Sequence, residues 1–220
     1  GPRGAANDGF YADEYRLNAA IRGYPKPYVA LMDGVVMGGG VGVSIHATRR
    51  IAGDRTLFAM PETGIGLFPD VGGTWFLPRL PGETGMWLGL TGARIGPADT
   101  VAAGICDLAV PSARHEAVLA ALADLAPGHG RAETLAGIDT ILAREAGAPA
   151  GEPVIAPCRD AIDACFAGES VEAVLAALDA AGTEWAAAQA AAIRSKSPTC
   201  TRIAFRQIRE GAHLDFAGCM

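Results

Sequence analysis

The sequence lacks most of the devices by which whole classes of protein are recognised. Its 220 residues hold five cysteines, at 106, 158, 165, 200 and 219, and no two of them form a C-x-x-C pair. That spacing offers neither a thiolate zinc site nor a disulfide framework, and an odd count favours free thiols in a reducing, cytoplasmic setting. The four histidines (46, 115, 129 and 213) are scattered and H-E-x-x-H is missing, so no metal is expected. Neither G-x-G-x-x-G nor G-x-x-x-x-G-K-[ST] occurs, which argues against a dinucleotide or P-loop site. Without G-x-S-x-G there is no serine nucleophile elbow either. Basic charge is sparse: 18 Lys and Arg face 24 Asp and Glu, for a net charge of −6. The arginines are mostly isolated, and the densest pair, Arg49-Arg50, lies in an apolar context, so no nucleic-acid partner is expected. No apolar stretch is long enough to span a bilayer, since Asp33, His46 and Arg49 interrupt the best one, and no membrane partner is expected.

Half of the residues are hydrophobic, enough for a sizeable core. Residues 1–9 are polar and Gly-rich and read as a loop. Apolar residues at 10, 14/15, 17 and 21 predict an amphipathic helix from Phe10 to Ile21. Short apolar runs at 27–32, 35–37, 49–53 and 56–60 read as strands, and 41–47 as a buried helix starting at Gly38-Gly39-Gly40. A Gly/Pro-dense loop follows over 61–73, then helices over 75–80 and 83–90. Past Pro111 the chain turns Ala- and Leu-rich with helical periodicity over 113–125, 133–145, 155–166, 170–180, 183–194 and 199–209. Ser170 and Ser197 are placed as N-caps, and 147–153 is the clearest linker. The fold class is therefore α/β, with a core over 1–111 and a helical region over 112–220.

The glycine run at 38–40 admits three readings: close packing, phosphate binding, or an oxyanion hole built from a backbone N–H at a helix start. No Lys lies near Gly40, which weakens the second reading. Glu62 and Asp70 flank the Gly/Pro-rich loop, where two carboxylates among Ile65, Leu67, Phe68, Trp75 and Phe76 can differ in proton affinity and serve acid–base chemistry. The plain alternative is that Glu62 and Asp70 cap the helices that follow them. His46 reads as a packed core residue.

The stretch Lys26-Pro27-Tyr28-Val29-Ala30-Leu31-Met32-Asp33-Gly34, with Met37-Gly38-Gly39-Gly40-Val41-Gly42, resembles the crotonase (enoyl-CoA hydratase/isomerase) superfamily. Phe58-Ala59-Met60-Pro61-Glu62-Thr63-Gly64-Ile65-Gly66-Leu67-Phe68-Pro69-Asp70-Val71-Gly72-Gly73-Thr74 is similar to its 3-hydroxyisobutyryl-CoA hydrolase branch, as are Phe76 to Gly82 and Ser197-Pro198-Thr199. The resemblance implies a crotonase-like spiral of ββα units with an α-helical C-terminal region. It implies hydrolysis of a short 3-hydroxyacyl-CoA thioester, with CoA entering as part of the substrate and no separate cofactor. Gly39 matches the glycine that gives one arm of the oxyanion hole. Glu62 matches the catalytic glutamate, Asp70 the hydrolase aspartate and Glu14 an acidic residue of the acyl pocket. The second glutamate of hydratases is replaced by Gly42, which speaks against water addition to a double bond. Nothing before Phe10 matches the family's upstream Gly-Gly-Asp-type segment, so the chain reads as the middle of a longer protein, with upstream strands of the core missing. Alternatives are an enoyl-CoA hydratase or isomerase, and an inactive fragment that only binds acyl-CoA; association into a homo-oligomer stays open.

Overall fold

A computed structural model describes residues 4–126, 128 and 130–220. Contacts divide it into two compact units, each assembled from separate stretches of chain. The first comprises residues up to Val36, Gly40–Phe58 and Gly96–Glu152; the second comprises Met37–Gly39, Ala59–Ile95 and Pro153–Met220. The last crossing, at 152/153, falls in the Gly/Pro-rich segment read as a linker.

The first unit is built on short parallel strands. β1 (Val29–Met32), β3 (Arg49–Ala52) and β5 (Leu108–Ala109) form a sheet of order β1-β3-β5, while β2 (Val35–Val36) pairs in parallel with β4 (Leu57–Phe58). The runs at 49–53 and 56–60 therefore belong to different sheets. Parallel pairing demands crossovers rather than hairpins. Ile51 and Val110 join Val118, Ile138 and Leu142 in one buried cluster, where α6 (His115–Asp124) and α7 (Arg131–Glu145) lay their apolar stripes on the sheet's Leu31 and Leu108. Helix α1 starts at Gly4 and ends at Arg22, so residues 4–9 are helical where a loop was expected; residues 1–3 of that expected loop, and His129, lie outside the described residues. The buried helix expected over 41–47 is a single turn, α2 (Gly39–Gly42), followed by further turns, because Gly and β-branched residues propagate a helix poorly. The segment nevertheless buries Val41, Ile45 and His46.

An arginine–aspartate contact ties the strand ends together. Asp33 accepts two N–H bonds from the Arg55 guanidinium (2.6 and 3.2 Å), one from the Arg55 backbone and one from the Ser112 hydroxyl. The Arg55 guanidinium foremost holds the Asp33 carboxyl down at about 2. Its folded pKa lies below the unfolded value, so its contribution to stability is present above pH 4 and is lost as pH falls toward 2. Asp33→Asn should lower the melting temperature at pH 7 and leave it nearly unchanged near pH 2. A variant with the same deficit at both pH values would show that packing, not charge, is what Asp33 supplies.

The second unit is helical. α3 (Gly73–Phe76) runs into a 3₁₀ turn at Leu77–Arg79, and α4 (Thr84–Thr91) is buried along its whole length. α8 (Arg159–Phe166), α10 (Glu184–Arg194) and α11 (Pro198–Gly211) pack on it, α11 on α3 as well, and α9 (Val171–Ala181) packs on α8, α10 and α11. The hydroxyls of Ser170 and Ser197 accept the backbone N–H groups of Ala173 and Cys200, the caps expected there. α5 (Pro97–Ala102), in the first unit, and α12 (Phe216–Cys219) complete the helices. Every strand lies before residue 112 and, among the described residues, only helices follow it.

Candidate active site

Of the four residues singled out, Gly39, Glu62 and Asp70 fall in the second unit, and Glu14 lies on α1 in the first. Gly39 opens α2 and is exposed; the N–H groups of a helix's first turn lack intrahelical acceptors, so its N–H is available to a ligand oxygen. Glu14 is half-buried, one helical turn ahead of the fully buried Asn18.

Glu62 begins a 3₁₀ turn (Glu62–Ile65) closed at Gly66, whose φ of 81° ends the turn. Its side chain is only 3% exposed, and Oε2 has no hydrogen-bond partner. A carboxylate so placed keeps its proton more readily than one in water. Burial first, and then the negative charge of Asp70, push the Glu62 carboxyl up to about 7, against the lowering effect of its own backbone N–H. The burial comes from α4 and α11, both packed on the turn, and not from Ile65, which is 80% exposed. Ile65, an apolar neighbour in sequence, is thus not among the groups that desolvate it.

Neither carboxylate occupies the N-cap position of the turn or helix that follows it. The 3₁₀ turn is led by Pro61 and α3 by Gly72, and neither start carries a side-chain cap bond. Asp70 instead precedes a tight turn in which Val71 (φ 45°) and Gly72 (φ 88°) both have positive φ, closed by the Gly73 N–H donating to the Asp70 carbonyl at 2.7 Å. This is the type I′ pattern, which favours Asn or Gly at its first central position. For a β-branched residue such a φ is an outlier costing about 1–3 kcal/mol. On the other side of Asp70, the carbonyl of Pro69 accepts Gln207 Nε2 from α11 at 2.5 Å. The 3₁₀ turn is tied to the start of that same helix: Ser197 N–H donates to the Thr63 carbonyl at 3.2 Å.

The structure adds residues that the sequence did not single out. The Thr63 hydroxyl and both polar atoms of the Asn18 side chain are buried without partners. Lys196 brings its Nζ to 3.4 Å from where a Cβ on Gly64 would stand. Only a lone polar residue on the buried stripe of α1 hinted at Asn18 in the sequence. Among the described residues no group of three or more His, Cys, Asp or Glu is placed to hold a metal, and no helix is long and apolar enough to cross a membrane. Chemically, a buried carboxyl poised near neutrality beside a second carboxylate suits proton transfer or nucleophilic attack.

Comparison with known proteins fits that chemistry. The family profile described as enoyl-CoA hydratase/isomerase matches residues 2–220. A mitochondrial 3-hydroxyisobutyryl-CoA hydrolase of Xenopus tropicalis is 44% identical over 206 residues, 93% of this chain and 53% of that protein. 3-Hydroxyisobutyryl-CoA hydrolase 1 of Arabidopsis thaliana is 41% identical over 216 residues, 96% of this chain and 56% of the relative. A solved carnitinyl-CoA dehydratase from Mycobacterium thermoresistibile superposes with a TM-score of 0.88 at 40% identity, covering 99% of this chain and 61% of its own. The chain thus spans about half the length of the curated relatives it matches. The parallel strands followed by a helical region are those of the crotonase-like α/β fold, and the chain belongs to the crotonase, or enoyl-CoA hydratase/isomerase, superfamily.

Proposed function

We propose that the full-length protein is an enzyme that hydrolyses the thioester of a short 3-hydroxyacyl-CoA, of the 3-hydroxyisobutyryl-CoA type, to the free acid and CoA. The observation that carries this reading is the buried Glu62, with one carboxyl oxygen unpartnered and its pKa raised to about 7. The names of the relatives above support the substrate class. Attack on the thioester carbonyl places negative charge on its oxygen, which the Gly39 N–H would stabilise. Glu62 would either attack the carbonyl itself or take the proton of the attacking water. Asp70 would orient the water or the substrate hydroxyl and return a proton to the departing thiolate. No cofactor beyond the CoA of the substrate is invoked. All five cysteines are free thiols, which fits a reducing compartment, cytoplasmic in our reading, although the Xenopus relative is named as mitochondrial.

A second reading, hydration or dehydration at the α and β carbons, is favoured by the dehydratase named above. Gly42 counts against it: it is a buried glycine closing α2 and offers no acid where hydratases carry their second glutamate. The two readings separate in one experiment on the full-length protein. Free thiol should appear from 3-hydroxyisobutyryl-CoA, while crotonyl-CoA should lose little enoyl absorbance. Because Glu62 acts ionised, the rate should rise with pH through about 7 and level off above it. Rapid hydration of crotonyl-CoA without thiol release would overturn the hydrolase reading.

A further inference from the structure

The turn that follows Asp70 is built against its own local preference. The position taken by Val71 is one where Gly or Asn would sit without strain, yet it holds a β-branched residue that is 1% exposed. Local backbone energetics therefore do not explain the residue; its buried side chain does. We propose that Val71 is a positioning residue: its side chain pins the type I′ turn into the second unit and so fixes the Asp70 carboxylate beside Glu62. The turn is held from both flanks, by the Gly73 N–H on the Asp70 carbonyl and by Gln207 on the Pro69 carbonyl. Between those two bonds lies one residue, Asp70, with Val71 as the next anchor along the chain. The proposal rests on the hydrolase reading only for its kinetic test; the pinning of the turn stands on the φ and burial of Val71 and on the two hydrogen bonds that flank it.

The charges around Glu62 make the placement measurable. Of the elements packed on its turn, α4 carries no ionisable side chain. On α11, Arg202 is paired with Glu172, Arg206 with Glu210 and Arg209 with Glu83. Lys196, just ahead of α11, stands against Gly64. Asp70 is the charge that acts on the Glu62 carboxyl, so moving Asp70 moves the Glu62 titration.

Two variants divide anchoring from plain stability. Val71→Gly removes the side chain and, with it, the backbone strain, so lost burial and relieved strain offset each other in the melting temperature. Val71→Thr keeps the β-branched shape and adds a buried hydroxyl, so it is the less stable of the two. In the full-length protein, Val71→Gly should lower kcat for thioester hydrolysis about tenfold with KM changed less than twofold, while Val71→Thr should keep kcat within about twofold. Glu62 titrated by carboxyl ¹³C NMR should shift downward in Val71→Gly, toward the value found in Asp70→Asn, and stay in place in Val71→Thr. The titration needs no turnover: a wild type inactive on CoA thioesters would remove the hydrolase reading and leave this test intact. Kinetics that follow melting temperature in both variants, or an unmoved Glu62 midpoint in Val71→Gly, would overturn the proposal.

Discussion

Glu62→Gln should lower kcat for thioester hydrolysis at least about a hundredfold in the full-length protein, with binding of acyl-CoA much less affected. The amide keeps the size and one oxygen acceptor of the side chain but can neither attack nor carry a proton. The same substitution should make the protein more stable, and the pH dependence of that gain follows from linkage. The folded state holds the Glu62 proton up to about pH 7, while the unfolded chain releases it near 4.5. Stability is therefore whole below the unfolded value and is lost as pH rises through the folded one, a loss of about 3 kcal/mol above pH 7. Glutamine has no proton to lose. The melting temperature of Glu62→Gln should match wild type near pH 4 and exceed it by several degrees at pH 8. A variant with near-normal turnover and no such gain would return Glu62 to an ordinary structural role.

Gly211→Ala should strongly destabilise the second unit. A Cβ there would overlap the carbonyl oxygen of Thr74 and come within 2.8 Å of its Cγ2. The obstacle is backbone, so relief requires α11 to move off α3. We expect a cost of about 3 kcal/mol, at the upper end for an overpacked contact. The displacement would also pull on Gln207, one turn earlier on α11, and through it on the Pro69 carbonyl beside Asp70. Reduced kcat should therefore accompany the lower melting temperature in thermal and kinetic assays. A variant that melts normally would show that the two elements slide without cost.

Much of the helical architecture was legible because its signals are local. Ser170 and Ser197 cap where they were placed, and the periodicity from 113 to 209 gave six helices within a few residues of their observed ends. Strands were harder. β5 is two residues long, too short for any periodicity, and α5 begins at a proline within a Gly-rich stretch. Nothing in the chain order of 49–53 and 56–60 shows that they join different sheets. Within the site, Glu62 and Asp70 stand out by residue type and by their family-like surroundings. What makes Glu62 unusual was not visible, since α11, which helps bury it, begins more than a hundred residues later. The strain at Val71 is a backbone property, and an isolated valine gives no warning of it.

The bond from Gln207 to Pro69 joins residues 138 positions apart. During synthesis the chain emerges from its N-terminal end, at about 5–20 residues per second. The first unit has all of its residues once Glu152 is out, whereas the turns bearing Glu62 and Asp70 wait for residues 197–211 before Thr63 and Pro69 find their partners. Glu62 thus spends that interval, about 2–12 s, as an ordinary solvated carboxylate. The carboxyl with the raised pKa is a late product of translation, and a nascent chain halted before α11 should hold its strands without it.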